Sequence, residues 1–175
     1  MKPSVARLVA RLAHGDQMYS GEPHNKPYIF HLDMVVTILK HHGYPDWSLC
    51  AGYLHDVLED CSTVITYADI ECAFGKTVAD VVESCTGRGA NRKARQANIH
   101  HKLELYAEGR HVKLADRMAN IHMCLVEKRT GLLEMYLREH PQFMRLIQTY
   151  VTPPQREDYL QMVKEQKPLE WLVTP

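Results

Sequence analysis

Four ionisable side chains crowd into the apolar segment GYLHDVLEDC, and they are His55, Asp56, Glu59 and Asp60. On a helix, which turns by about 100° per residue, the four share one arc, and each member of the second pair lies one turn beyond a member of the first. Like charges at that spacing repel each other by a few tenths of a kcal/mol. The arc is therefore either the solvated face of an amphipathic helix or part of a site that binds a cation.

Two further residues favour a cation site. His31 lies in YIFHLDMVV and Asp116 in HVKLADRMANIHM, and both segments have the apolar periodicity of helices that could converge on the HD pair. Two imidazoles and two carboxylates without sulfur suit an open octahedral divalent site better than a closed zinc site. Each residue also has a structural alternative, since His31 could be a core histidine and Asp116 could pair with Arg117 or Lys113.

The composition limits the classes of protein to consider. The 175 residues fit one domain, 1–175, with a core at about 3–150 and a C-terminal helix and tail at 151–175. Lys plus Arg equals Asp plus Glu at 21 each, so we expect no nucleic-acid and no membrane partner. No apolar run approaches the roughly 20 residues of a membrane span, the N-terminus lacks a secretory signal, and the five cysteines show no CxxC pair. We expect a cytoplasmic protein with reduced thiols.

Apolar positions recur at helical spacing almost throughout, so the sequence predicts an all-α fold. The stretch Tyr19–Pro27 contains prolines and a glycine and is predicted to be a loop. Asp46, and the pairs Thr66 with Asp69 and Thr77 with Asp80, are predicted helix caps, and His41 and His42 are predicted to form an exposed helix end. The predicted helices are 3–18, 29–42, 46–61, two short helices around Gly75, 91–107, 111–127, 132–140, a short one from Pro141, and one ending near Gln166.

These residues resemble a known family. His31, the pair His55 and Asp56, and then Asp116 match the ligand pattern of the HD-domain metal-dependent phosphohydrolases. Five sequence segments are similar to the hydrolase domain of the RelA/SpoT alarmone enzymes, and above all to the stand-alone small alarmone hydrolases. They are SGEP, PYIFH, LHDVLEDC, FGKTVADVVESCT and VKLADRMANI. The likeness covers about Val5 to Glu127.

The resemblance implies a single-domain HD-type helical bundle, one Mn²⁺ ion, and a small-molecule nucleotide substrate. The implied reaction removes the 3′-pyrophosphate from guanosine tetra- or pentaphosphate. It further implies that Glu59 and Asp60 serve catalysis, that Asn120 faces the nucleotide, and that the metal is held by His31, His55, Asp56 and Asp116. A bound divalent ion lowers the pKa of its water, and an acidic pair one turn away is placed to exchange the proton.

The sequence departs from the family where the base is read. The family commonly has an Arg or Lys pair in the loop before PYI, whereas this chain has Met18, Tyr19 and Ser20. Tyr19 could stack on a base but supplies no cation, so guanine and adenine both stay open.

A basic segment follows TGRGAN further along the chain. Arg92 and Arg95, with Arg88 and Lys93, are candidates to bind phosphate, although a solvated basic face is the alternative. Tyr136 and Arg138 are candidates to close the pocket.

Two other functions stay open at this point. An HD phosphohydrolase could act on another nucleotide or on a small phosphate ester, and a non-catalytic nucleotide-binding module could keep the same fold. The second is disfavoured because all six ligand and acidic residues are present. The sequence does not specify the oligomeric state, the physiological metal or the pathway.

Overall fold

The computed structural model describes residues 2–20 and 24–172, and helices account for most of them. Apolar side chains at intervals of three and four positions form the buried faces of these helices. The elements are α1 Pro3–His14, β1 Met18–Ser20, β2 Lys26–Pro27, α2 Tyr28–His41, α3 Asp46–Leu54, α4 Val57–Asp60, α5 Tyr67–Phe74, α6 Lys76–Cys85, α7 Arg92–Leu105, a 3₁₀ turn Ala107–Gly109, α8 Arg110–Val126, α9 Thr130–Leu146 and α10 Pro153–Glu165.

Helix α2 lies at the centre of the fold. It packs against α3 on one side and α8 on another, while α1 covers α3. Because α2 is surrounded, most of its residues are buried, including Leu32, Ile38 and Leu39. The core continues to Leu172, so α10 and the segment after it pack on the same apolar cluster. This arrangement brings the middle of α8 and the end of α3 to the same stretch of α2.

The predicted loop between the first two long helices contains a short antiparallel strand pair instead. Its register places Met18 opposite Pro27 and Ser20 opposite Lys26. Helix α1 ends four residues earlier than predicted because Gly15 has a φ of 52°, which ends the helix and turns the chain into β1. Of the SGEP segment, residues 21–23 lie outside the described part of the chain.

The prediction of one helix over 46–61 is wrong, because the helix ends at Leu54 and restarts at Val57. The ring nitrogen Nδ1 of His55 lies 2.8 Å from the carbonyl oxygen of Gly52, which is the acceptor that the amide of Asp56 would use in a continuous helix. The amides of Glu59 and Asp60 then bond back to the Asp56 carbonyl. The HD pair therefore forms a turn between α3 and α4 and not part of a helical face.

Three predicted caps have different outcomes. Thr66 and Asp69 form the expected capping box, in which each side chain accepts from the other residue's amide. Thr77 is not a cap, since α6 begins at Lys76 and the Asp80 carboxylate is bound by Lys76 and by the Tyr67 hydroxyl. Asp46 is not a cap either, because the extended backbone of Pro45 places Asp46 in the first turn.

The prediction that a new helix begins at Pro141 is wrong, because Pro141 lies inside the continuous helix α9. Proline removes one backbone hydrogen bond and normally kinks or breaks a helix. Here buried Phe143 and Leu146 anchor the turn that follows, and the Arg117 guanidinium packs 4.2 Å from the Phe143 ring. Tertiary contacts on the C-terminal side of the proline therefore hold the helix together.

Candidate metal centre

Three segments contribute the four predicted ligands. His31 lies in the first half of α2, the HD pair forms the turn after α3, and Asp116 lies in α8. His31 and His55 are buried at 2% and 0% exposure, in a region where α2 is packed between the other two elements. The structure thus brings together all four residues that the sequence proposed as ligands.

Their donor atoms form a closed ring. His31 Nε2 is 3.2 Å from Asp116 Oδ1 and 3.9 Å from Asp56 Oδ2, while His55 Nε2 is 3.0 Å from Asp56 Oδ2 and 3.8 Å from Asp116 Oδ1. One donor atom from each of His31, His55 and Asp116 lies within 4.8 Å of the other two. Ligands about 2.1 Å from one ion lie about 3.0 Å apart at right angles and about 3.4 Å apart at tetrahedral angles. The ring is therefore of the size that surrounds a single ion.

The tautomer of His55 also fits metal binding. A carbonyl oxygen can only accept, so the contact with the Gly52 carbonyl places the ring proton on Nδ1. In the neutral ring Nε2 then carries the lone pair, and this nitrogen is buried and makes no hydrogen bond within the described residues. Metal-binding histidines characteristically fix the other nitrogen in this way.

The electrostatics of the ring favour a bound cation. Burial would lower the pKa of His55, but the Asp56 and Asp116 carboxylates outweigh burial and raise it to about 10. Burial would likewise raise the pKa of Asp56, yet the His55 charge holds it below its usual value. The pKa of Asp116 also lies well below its usual value despite burial, chiefly because Lys113 Nζ is 2.7 Å from its Oδ2. The ring therefore holds two carboxylates and attracts positive charge.

A second layer of side chains holds the ligands in place. Tyr28 donates to Asp56 Oδ2 at 2.6 Å, and the Asn120 amide donates to Asp116 Oδ1 at 2.6 Å. Tyr19 donates to the Asn120 side-chain oxygen at 3.0 Å and stacks on His31 with 4.9 Å between ring centroids. Sequence reasoning missed Tyr28, although its position three residues before His31 on α2 was a signal that the two share a face.

A cavity of about 200 Å³ opens on the ring. Its walls include Tyr19, Asn120, Glu59, Arg92 and Arg95 from the predicted set, together with Tyr136. Ser20 and Asp60 are not among the lining residues; Ser20 is buried in β1, and Asp60 is exposed. Arg138 is exposed and likewise does not line the cavity. The lining residues that the sequence did not single out as functional are Tyr28, Gln96, Ile99, His100, Lys113, Arg117 and Phe143.

The two predicted catalytic carboxylates have different surroundings. Glu59 Oε2 accepts from the Gly87 amide at 2.7 Å, and its Oε1 lies 3.7 Å from Arg95 Nε. Asp60 Oδ2 accepts from the Gln17 side chain at 2.8 Å. Glu59 is therefore fixed in the cavity wall, whereas Asp60 lies at the surface outside it.

Four cationic side chains line the cavity. Arg92 and Arg117 both pair with Glu139, and Lys113 pairs with Asp116. Arg95 has only the long contact with Glu59 among its ion pairs in the described chain, and its side chain is 43% exposed. A polyphosphate entering the cavity would meet more positive than negative side chains.

The fold and the ring of ligands correspond to a known class. A family model described as "HD domain" matches residues 6–134, and the chain belongs to that family. The chain is 37% identical over 123 residues to the bifunctional (p)ppGpp synthase/hydrolase SpoT of Escherichia coli, covering 70% of this chain and 16% of SpoT. It is 34% identical over 112 residues to the guanosine-3′,5′-bis(diphosphate) 3′-pyrophosphohydrolase MESH1 of Danio rerio, covering 62% of this chain and 61% of MESH1.

A solved structure supports the fold assignment. It is described as a metazoan ortholog of SpoT that hydrolyzes ppGpp, and it superposes with a TM-score of 0.75 at 20% identity over 98% of this chain and 96% of the other. The all-α, HD-type prediction is therefore confirmed. Among the residues described here, no helix has both the length and the apolar composition needed to cross a bilayer.

Proposed function

We propose that this chain is a metal-dependent phosphohydrolase that removes the 3′-pyrophosphate from a guanosine 3′,5′-polyphosphate or from its adenosine counterpart. The observation that carries the proposal is the ring of two imidazole nitrogens and two carboxylate oxygens at the base of a cation-lined cavity. The activities for which the SpoT and MESH1 relatives are named support the substrate class, although the chain spans only part of each.

We assign His31, His55, Asp56 and Asp116 as the ligands of one divalent ion and propose Mn²⁺, because a mixed imidazole and carboxylate set with open positions suits it. When bound, such an ion acidifies water and offsets negative charge on phosphoryl oxygens. The surrounding side chains fix the ligands before the ion arrives. Tyr28 holds one carboxylate and Asn120 the other, so little reorganisation is needed on binding.

In the proposed reaction, the oxygen of water bonds to the phosphorus that is attached to the ribose 3′-oxygen, and the bond between this phosphorus and the 3′-oxygen breaks. To Glu59, a carboxylate that lines the cavity, we assign the role of accepting the proton from that water. The proton then passes to the departing 3′-oxygen, giving a nucleoside 5′-diphosphate and pyrophosphate. Asp60, held by Gln17 outside the cavity wall, acts as a positioning residue for Glu59 and its helix.

The substrate phosphates are assigned to the cationic wall. Arg95 is the first contact because its guanidinium is partly exposed and is weakly paired. Arg92 can contribute by exchanging its bond with Glu139 for a phosphate oxygen, a charge-assisted contact of similar strength. Tyr19 and Asn120 also line the cavity, with Ser20 following Tyr19 on β1, and we assign the nucleoside to these residues.

The test uses purified protein stripped of metal by a chelator and then reconstituted separately with Mn²⁺, Mg²⁺ or Zn²⁺. Each sample is incubated with guanosine and adenosine 3′,5′-bis(diphosphates) and with ordinary nucleoside di- and triphosphates, and the products are identified by mass. We expect pyrophosphate and a 5′-diphosphate from a 3′,5′-substrate, in the presence of Mn²⁺ and not in its absence.

Asp56→Asn is the matched active-site variant, because it keeps the side-chain size and removes the charge that the ion requires. We expect it to lose at least about a hundredfold in kcat/KM. Asp46→Asn, an equivalent change at an exposed position of α3, is the control and should retain full activity. Orthophosphate released from nucleotides without a 3′ substituent would favour the alternative phosphohydrolase. Metal-dependent binding without turnover would favour the non-catalytic module.

A further inference from the structure

A second group of metal-binding side chains lies at the other end of α2. His41 is the last residue of α2, His42 follows it as the C-cap, and Asp158 comes from α10; one donor atom from each residue lies within 4.8 Å of the others. His42 is eleven residues beyond His31, which corresponds to about 16 Å along the helix axis. The group is therefore separate from the HD ring.

We propose that His41, His42 and Asp158 form a second divalent metal site, with a donor set that suits Zn²⁺. The bound ion would link α2 to α10 and to the C-terminal segment 166–172 that follows α10. Imidazole nitrogens with one carboxylate are a characteristic zinc donor set. The C-terminal end of a helix also carries partial negative charge, which stabilises a cation at this position.

The surroundings of His42 are the main evidence. The sequence predicts an exposed helix end, and His41 is exposed, but the side chain of His42 is only 2% exposed. Its Nε2 atom is buried and has no hydrogen-bond partner among the described residues. A buried polar atom without a partner costs free energy, so its burial is unexplained unless something binds it.

The distance between the donor atoms of His42 and Asp158 fits an ion. His42 Nε2 lies 3.6 Å from Asp158 Oδ2, which is too long for a normal hydrogen bond. Two ligands each about 2.1 Å from a tetrahedral ion lie about 3.4 Å apart.

Trp171 orients the other two ligands. Its ring stacks on His41 with 3.8 Å between centroids and an interplanar angle of 3°, and its Nε1 donates to Asp158 Oδ2 at 3.1 Å. A neighbouring cavity of about 230 Å³ is lined by Asp158 and Trp171, by Glu170, and by Glu165, which pairs with Lys167 in the same wall. Water in this cavity can complete the coordination. Because Trp171 belongs to the C-terminal segment, ion binding would stabilise the docking of that segment.

The test follows the fluorescence of Trp171 in full-length Trp47→Phe protein, where Trp171 is the remaining tryptophan. Metal-free protein is titrated with Co²⁺, which quenches a tryptophan close to it. We expect saturable quenching that Zn²⁺ reverses. His42→Ala and the conservative Asp158→Asn should both lose it, whereas His101→Ala, which removes an exposed histidine from another helix, should retain it.

The proposal would be overturned if Co²⁺ left the emission unchanged, or if Co²⁺ quenched the two variants with the same affinity as the wild type. His42 and Asp158 would then form a simple ion pair. Circular dichroism of each variant confirms that it is folded. Nucleotide hydrolysis by Asp158→Asn should equal that of the wild type, since Asp158 lies outside the HD ring. The outcome is therefore independent of the proposed enzymatic function.

Discussion

The hydroxyl of Tyr28 tests whether the second layer of the HD ring controls metal affinity. It donates to Asp56 Oδ2 at 2.6 Å, and its ring stacks on His14 with 4.3 Å between centroids. Tyr28→Phe removes only the hydroxyl and keeps the stacking ring. The change therefore isolates one hydrogen bond to a proposed metal ligand.

The expected magnitude follows from the charge of the acceptor. A hydrogen bond to a charged group contributes about 1.5–3 kcal/mol. Since about 1.4 kcal/mol corresponds to a tenfold change in an equilibrium constant, Tyr28→Phe should weaken Mn²⁺ binding by about 10- to 100-fold. That range agrees with the losses generally caused by removing the outer partners of metal ligands.

Isothermal titration calorimetry of metal-free protein with Mn²⁺ measures the effect, and thermal unfolding of the metal-free protein reports any loss of fold stability separately. Tyr67→Phe is the matched control, because Tyr67 donates to Asp80 at 2.7 Å in an equivalent tyrosine–aspartate pair outside the cavity. Equal Mn²⁺ affinity in Tyr28→Phe and the wild type would refute the argument. An equal loss in both variants would show that the effect is not local to the ring.

Three further predictions concern the substrate, the fold and pH. Arg95→Ala should raise KM for the nucleotide about tenfold while leaving Mn²⁺ affinity unchanged, whereas Lys40→Ala, an exposed cation on α2, should change neither. Thr66→Ala should lower the free energy of unfolding by about 1 kcal/mol in urea titrations, and Thr77→Ala, at a position that does not cap its helix, should have little effect. Burial lowers the pKa of His111 to about 4, so the unfolded chain binds more protons below its usual pKa of about 6.5. As the pH falls from 6.5 to 4, the free energy of unfolding should decrease by about 3 kcal/mol. His111→Phe should reduce this pH dependence, and an unchanged pH dependence in that variant would contradict the assignment to His111.

The sequence predicted the helical architecture well because apolar periodicity is a local signal, and most helix ends lie within a few residues of the predicted ones. It failed where a side chain or a distant contact decides the backbone. His55 ends α3 by bonding to the Gly52 carbonyl, which no periodicity records. Pro141 remains inside α9 because packing around Phe143 holds the helix, and propensity alone cannot include that packing.

The site shows the same division. The four ring residues could be identified from residue type and spacing, since histidines and carboxylates on converging helices are distinctive. The partners that set their charge and orientation could not. Lys113 was considered only as a structural partner for Asp116, yet it is the largest influence opposing burial on that carboxylate's pKa. The sequence allows Tyr19 to stack on a base but gives no sign that its ring stacks on His31 or that its hydroxyl donates to Asn120.

The proposed reaction makes one claim that a single isotope measurement tests directly, namely that water attacks the phosphorus next to the ribose 3′-oxygen. Protein loaded with Mn²⁺ is incubated with guanosine 3′,5′-bis(diphosphate) in water enriched in oxygen-18, and the masses of both products are measured by mass spectrometry. The label should appear once in pyrophosphate, with unlabelled guanosine 5′-diphosphate. Label in the nucleoside product, label in orthophosphate formed directly from the substrate, or the absence of turnover would contradict the account.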